Sequence, residues 1–307
     1  LAGGFTKVLV VPNTNPTINS KSQVEYIVQK SKALPVAIFP LGAVTKNIEG
    51  KDLAEMYDMF DAGAKGFSDG LNPVQSSGLL LKALQYVKAF NGTIVQMPID
   101  KSIAAHGLIN EGIISTKMGL QGLPSIGEIM MIKRDIDLLR YTNSKLHITA
   151  VSTKEGIELI AKAKAEGLDI TCSVTPYHLF YCDEDVMDYD TNLKVNPPLR
   201  TREDMLALRE AVKTGIIDCI ATHHFPQNID NKVCEFEYAK NGMISLQTAF
   251  PVVNSILPEL SNETICNIFS TNATHIFGIK DNKIEVGAEA CLTLFNRNEE
   301  FVLTKEN

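Results

Sequence analysis

Short runs rich in Val, Ile and Leu alternate along the chain with longer segments whose apolar residues recur every three or four positions. The first kind reads as strand: Lys7–Val11, Val36–Leu41, Gly63–Phe67, Thr93–Met97, Leu146–Val151, Asp169–Val174 and Ile216–Ala221. Several of these, such as Val8-Leu9-Val10-Val11, are nearly continuous apolar runs, as expected of parallel strands covered on both faces. The second kind predicts helices over Ser22–Ala33, Lys51–Ala62, Ser76–Phe90, Ser125–Tyr141, Ser152–Gly167 and Thr201–Thr214. Ser152-Thr153-Lys154-Glu155 has the spacing of a capping box, and Thr201 to Asp204 a weaker version of it. Gly167 and Gly215 stand where two helices must stop.

This alternation predicts an α/β fold with a parallel sheet. A closed (β/α)₈ barrel and an open doubly wound sheet both fit the order. No GxGxxG or P-loop stands at any strand–helix junction, which favours the barrel. Seven strands are one short of closure. Leu1-Ala2-Gly3-Gly4 reads as the tail of a helix ending at a glycine pair, so the first strand is expected upstream of Leu1. The pattern changes over Lys283–Leu303, where Gly287 precedes an alternating run, Ala290–Phe295. The expected organisation is a barrel over residues 1–278 lacking its first strand, with 279–307 entering a small β subdomain.

Composition narrows the setting. The chain has 307 residues, 45% of them apolar, which suits one large soluble core. A net charge of −7 and the lack of any Lys/Arg cluster argue against a nucleic-acid surface. No apolar run approaches the roughly 20 residues needed to span a bilayer, so a cytoplasmic protein is expected. The six cysteines form no CxxC pair and read as free thiols, with Cys172 and Cys219 inside strand-like runs.

In a barrel of this kind chemistry sits at the C-terminal ends of the strands. The titratable groups found there are Asp69, His178, His223 and His224, with Asp100 further along. A hydrolytic metal site needs several converging imidazoles and carboxylates, and this set is thin. Adjacent strand residues point to opposite faces, so at most one of His223 and His224 faces the mouth. His147 (mid-strand) and His106 (in a loop) read as structural. Ser68 and Ser152 have no base nearby in sequence, and Ser152 already serves as a helix cap. Lys46, in a Thr-Lys-Asn-Ile-Glu-Gly loop, reads as a solvated lysine rather than a Schiff-base former.

Several segments together resemble the dihydroorotases, cyclic amidohydrolases of the type associated with aspartate transcarbamoylase. They are Gly3-Gly4-Phe5-Thr6 through Pro12-Asn13-Thr14-Asn15-Pro16, Gly42 to Lys46, Gly66 to Gly70 and Asn110-Glu111-Gly112. Asn196-Pro197-Pro198-Leu199-Arg200, Gly215 to Thr222 and Gly287 to Ala290 continue the likeness in the same order. The resemblance covers nearly the whole chain. It implies a cytoplasmic TIM barrel of the metal-dependent amidohydrolase type with a small β-sandwich subdomain. That family interconverts carbamoyl-aspartate and dihydroorotate in pyrimidine synthesis, using zinc-bound hydroxide and an Asp that handles the proton. A dihydroorotate-type ligand, a homo-oligomer and a link to aspartate transcarbamoylase follow as expectations. Nucleic acid and membrane do not.

Carried over residue by residue, the family's metal site departs here. Its His-x-His pair falls upstream of Leu1. The bridging carboxylate falls at Gly70, beside a kept Asp69. The His of the "HCED" segment is Met97, although the closing Asp survives as Asp100. The His before "VST" is Ala150, and the Asp of "DHAPH" is His223, with Gln227 for the closing His. His178 matches the second His of a "PHHL" loop, with Tyr177 in place of the first. No residue of this chain is therefore assigned to metal. His223 is the candidate catalytic group, and Asn13 and Asn196 match asparagines that hold substrate. Three readings stay open: a non-catalytic homologue kept for assembly, an amidohydrolase with one zinc and a rebuilt site, and a module that binds a dihydroorotate-like ligand.

Overall fold

The computed structural model describes residues 1–103, 105–280 and 284–299. The apolar runs form strands β1 (Lys7–Val10), β2 (Ala37–Pro40) and β3 (Thr93–Gln96). Two short strands, β4 (Ile109–Asn110) and β5 (Gly122–Leu123), pair within an excursion that leaves the barrel after β3. Then follow β6 (Lys145–Ile148), β7 (Ile170–Val174) and β8 (Cys219–Ile220). Every ladder is parallel, β1 against β2 and β3-β6-β7-β8 in that order.

Phe67 joins the two sheets, bridging to Gly42 on one side and Ile94 on the other. The segment predicted as a strand over Gly63–Phe67 thus occupies its stave but makes only isolated bridges. Its first residues are spent closing the preceding helix, with Gly63 N on Phe60 O and Ala64 N on Met59 O. Seven parallel staves follow one another in chain order with helices between them, the arrangement of a TIM barrel. No ladder joins β8 to β1 among the described residues.

Helices form at Lys21–Ser31, Ser77–Lys88, Ser125–Thr142, Lys154–Ala165 and Arg202–Lys213, close to expectation. The helix predicted over Lys51–Ala62 shrinks to Met56–Asp61, because Leu53 bridges back to Thr45 and Ala54 N bonds Val44 O. Thr201 and Asp204 make the expected capping box. The box expected at Ser152 does not form: the cap is Thr153, which accepts from Gly156 N, and Ser152 is held by Glu128 of another helix. Gly167 and Gly215 end their helices at φ +82 and +75.

Alternation along each strand divides the core. Ile94, Leu146, Ile148, Ile170, Cys172 and Val174 pack in the large cluster beneath the helices. Val95 and Leu41 turn the other way, into a small cluster with Leu9, Phe39 and Phe277 inside the barrel. His147, Thr149, Thr171 and Ser173 share that inward phase, so one flank of the interior is polar. Burying each methylene of the apolar part contributes about 0.8 kcal/mol.

The run Ala290–Phe295, predicted as a strand, makes no ladder with any described residue. Leu294 is fully exposed; Thr293 Oγ1 donates to Gly4 O at 2.6 Å, and the Phe295 ring packs on Phe250 with centroids 4.8 Å apart. Lys283 and residues 300–303 of the predicted tail lie outside the described residues. No described helix is long and apolar enough to cross a membrane.

Candidate functional site

Asp69 follows the third stave and is fully buried. Its Oδ1 accepts from Val44 N and Thr45 N, both at 3.0 Å, and its Oδ2 from Thr45 Oγ1 at 2.5 Å. Burial pushes its pKa up against the pull of those bonds. The carboxylate is thus committed to tying the loop after β2 to the next strand end.

Beside it, Gly70 sits at φ +56, and Asn13 covers it. Asn13 Oδ1 accepts from Leu71 N at 3.1 Å while Nδ2 donates to Asp69 O at 3.3 Å. A Cβ added at Gly70 would lie 1.8 Å from Asn13 Oδ1. The carboxamide therefore occupies the space from which a side chain at position 70 would project. Gly70→Ala is expected to cost about 2–4 kcal/mol, from the overlap together with the left-handed backbone. In an Asn13→Ala background the overlap vanishes and only about 1–2 kcal/mol of backbone cost remains. Urea unfolding of the four proteins of this cycle checks it; equal losses in both backgrounds would mean that Asn13 does not hold that space.

Met97 is buried beyond β3, and Asp100 Oδ1 accepts from Ser102 N at 2.8 Å and Ser102 Oγ at 2.6 Å. The Ser102 hydroxyl is the main reason that the Asp100 carboxyl lies below its ordinary value. Ala150 and His223 both adopt left-handed backbone, φ +56 and +43. Such conformations cost a non-glycine residue about 1–2 kcal/mol each and gather at functional sites. His223 Nε2 lies 2.8 Å from Thr149 Oγ1. His224 faces elsewhere: its Nδ1 accepts from Ser245 N at 3.1 Å and Leu246 N at 3.3 Å. The two imidazoles hold different partners, but both lie beyond β8, so strand alternation is not what separates them.

His178 is buried, with Nδ1 at 2.8 Å from Thr175 Oγ1 and Nε2 at 3.1 Å from Pro197 O. Burial pulls its pKa down to about 3, so it is neutral and Nε2 carries the proton given to that carbonyl. Asn196, joined to Pro197 by a cis peptide, keeps a carboxamide without a hydrogen bond to any described residue. No hydrogen bond links Asn13, Asn196 and His223 to one another among the described residues.

Sequence reading missed the most heavily bonded group nearby. Glu128, on the helix Ser125–Thr142, accepts from Ser152 N, Thr153 N and Thr153 Oγ1 at 2.8–3.0 Å, and also from Ser152 Oγ. Arg200 Nη2 lies 3.6 Å from the same carboxylate; its Nε donates to Ser152 Oγ, and its Nη1 to Asn110 Oδ1 and Leu123 O. Asn110 in turn donates to Asp183 Oδ2 at 2.9 Å. The one available signal was Arg200 itself, an arginine following Pro-Pro-Leu with no acid in its own segment.

Zinc takes three or four N, S or O donors at about 2.0–2.3 Å. Among the described residues no group of three or more His, Cys, Asp or Glu side chains is placed to hold an ion. Asp69 and His178 already spend their donors and acceptors on the fold. Gly70, Met97 and Ala150 offer no donor suited to zinc. These residues do not fit the zinc site that the resemblance implies.

The comparisons with known proteins agree with one another. The family model described as "Dihydro-orotase-like" matches residues 1–156. A dihydroorotase of Caldanaerobacter subterraneus subsp. tengcongensis is 42% identical over 309 residues, covering 99% of this chain and 72% of that protein. One of Acetivibrio thermocellus is 40% identical over 98% of this chain and 72% of its own length. Among solved structures, an L-hydantoinase of Arthrobacter aurescens aligns with a TM-score of 0.79 at 26% identity, over 94% of this chain and 67% of that one. A Saccharomyces cerevisiae dihydroorotase in complex with 5-fluoroorotic acid shares the fold, with a TM-score of 0.71 at 16% identity over 91% of this chain and 78% of its own. By these matches, the chain belongs to the dihydroorotase family.

Proposed function

We propose that this chain is a dihydroorotase-family barrel that does not run the interconversion of carbamoyl-aspartate and dihydroorotate, and that it is kept for assembly in the cytoplasm. The observation that carries this reading is the Asn13 carboxamide lying where a side chain at Gly70 would project. A bridging carboxylate at that position is incompatible with the loop as folded. Met97, Ala150 and a His223 already bonded to Thr149 support the same reading. The partner proposed is aspartate transcarbamoylase, on the strength of the resemblance. Asn196 remains suited to contact a dihydroorotate-type ligand, since its carboxamide is not used internally.

The test is a two-way assay of the full-length protein supplied with zinc, beside the relative from Caldanaerobacter subterraneus, together with metal analysis. Loss of a positioned acid–base group alone costs about 10²–10⁴ in rate. The expected rate is therefore at least about 10³-fold below that of the relative, with substoichiometric zinc. A rate within about tenfold of the relative, a barrier difference of only about 1.4 kcal/mol, would overturn the proposal.

A further inference from the structure

The polar flank of the barrel interior is a continuous column. Thr171 Oγ1 lies 2.8 Å from His147 Nδ1, and His147 Nε2 lies 3.0 Å from Ser173 Oγ. Ser173 Oγ donates to Thr149 Oγ1 at 2.9 Å, and Thr149 Oγ1 lies 2.8 Å from His223 Nε2. Register explains the spacing, since His147 stands opposite Thr171 in the β6–β7 ladder. Residues two apart then point the same way, which brings Thr149 and Ser173 one step nearer the mouth.

The direction of every bond follows from one of them. A serine hydroxyl has a single proton, and Ser173 gives it to Thr149. Ser173 must therefore accept from His147, so the His147 proton is on Nε2. His147 is neutral, because burial pulls its pKa down to about 3, and its bare Nδ1 takes the Thr171 proton. Thr149 has accepted from Ser173, and no other described group receives its own proton. The acceptor within its reach is His223 Nε2, at 2.8 Å. A neutral His223 must then carry its hydrogen on Nδ1.

His223 Nδ1 has no partner among the described residues. The one buried side-chain polar atom left without a partner among them is Asp135 Oδ2. Nδ1 is therefore reached by solvent, at a strand end that opens on the mouth. We propose that the Thr171–His147–Ser173–Thr149 column fixes His223 as its Nδ1–H tautomer, so that the mouth presents a hydrogen-bond donor to a carbonyl or carboxylate oxygen of a ligand. Where the resemblance puts a proton-accepting carboxylate, this chain puts a neutral donor. His147, Ser173 and Thr149 act through His223 and are positioning residues. The inference rests on hydrogen-bond direction and is independent of whether the protein turns substrate over.

The experiment is ¹⁵N NMR of the full chain labelled at histidine, at pH 7. His223 is expected with a bare Nε2 and a protonated Nδ1, and His147 with the opposite pattern. Thr149→Val and Ser173→Ala are expected to shift His223 toward the Nε2–H form that free imidazole side chains prefer. An Nε2–H pattern for His223 in the unmodified protein overturns the proposal whether or not the variants fold. So does a His223 pattern unmoved in both variants. For the ligand, 5-fluoroorotic acid serves as probe: it should move the His223 Nδ1 resonance, and His223→Phe should weaken its binding about three- to tenfold. No shift at saturating probe removes the donor role while leaving the tautomer assignment to be judged on its own spectrum. A dihydroorotase assay on the same sample reads the proposed lack of turnover separately.

Discussion

Truncating Arg200 to alanine is expected to destabilise the protein by about 3–5 kcal/mol, the cost of leaving a buried charge without its partner. The side chains of Arg200 and Glu128 are 2% and 1% exposed, so water cannot replace either. The Glu128 carboxylate also accepts from two backbone N–H groups at the start of the helix Lys154–Ala165 and from the hydroxyls of Ser152 and Thr153. Thr153 is the N-cap, so its N–H is among those that any helix leaves without an internal acceptor, and Ser152 N lies just before it. Glu128→Ala should thus cost at least as much as Arg200→Ala. Glu128→Gln should cost less, because an amide oxygen still accepts from the backbone.

An isolated buried ion pair can often be exchanged for apolar residues with little loss. This one cannot, since an Arg200→Met, Glu128→Leu protein would still strand the helix N–H groups and Asn110. Urea unfolding of the single and double variants measures the coupling, expected at about 1–3 kcal/mol. A loss under about 1 kcal/mol for Arg200→Ala would mean that the Asn196–Arg200 loop relaxes and admits water to the carboxylate.

The strands were legible by short runs of β-branched and apolar residues: Val8 to Val10 is continuous, while Ile170, Cys172 and Val174 alternate with the inward Thr171 and Ser173. Helix positions were legible where a stripe runs the whole length. The Lys51–Ala62 prediction failed at its first half because Leu53 and Ala54 are apolar for a different reason, pairing with the Val44–Thr45 loop. Ser152 looked like a cap on local spacing, yet the acceptor that holds it comes from Glu128, 24 residues away. No local pattern carries that information.

The site was legible in the same uneven way. Strand-end position singled out His223, and the family resemblance Asn13 and Asn196, but neither showed what each would touch. The partner of His223 is a hydroxyl 74 residues away. Asn13 found its partners 56 and 58 residues on, at Asp69 O and Leu71 N. That contact depends on Gly70 having no side chain, a coupling between two positions that neither shows alone. The alternation His147, Thr149 and Thr171, Ser173 was present as a polar stripe at two-residue spacing, the one trace of the interior column in the sequence.

Acid is expected to unfold the protein steeply, with stability falling by about 1.5–3 kcal/mol per pH unit between pH 6 and pH 4. Burial holds His147 and His178 at about 3 and His223 at about 4. Unfolded histidine titrates near 6.5, so these side chains are neutral in both states at pH 7. As pH falls below about 6.5 the unfolded chain takes up protons that the folded chain refuses, and each such proton lowers stability by about 1.4 kcal/mol per pH unit. His147 and His178 are buried and count in full; His223 is only half-buried, and its share is smaller.

Two carboxylates act in the opposite sense. Burial pushes Asp135 up to about 6 despite the Arg134 guanidinium beside it, and raises Asp69 as well. Asp135 takes up its proton in the folded state first, which offsets about one of the three histidine protons over the same range, and Asp69 acts in the same direction. The net of one to two protons gives the slope above, ending near the folded values of 3–4. Urea midpoints at intervals from pH 7 to pH 4.5 measure it. His147→Gln and His178→Gln should each flatten the curve by about 1.4 kcal/mol per pH unit, whatever they cost at pH 7. A flat profile from pH 6.5 to 4.5 would mean that these imidazoles accept protons without leaving the fold, and the neutral column that orients His223 would not survive that result.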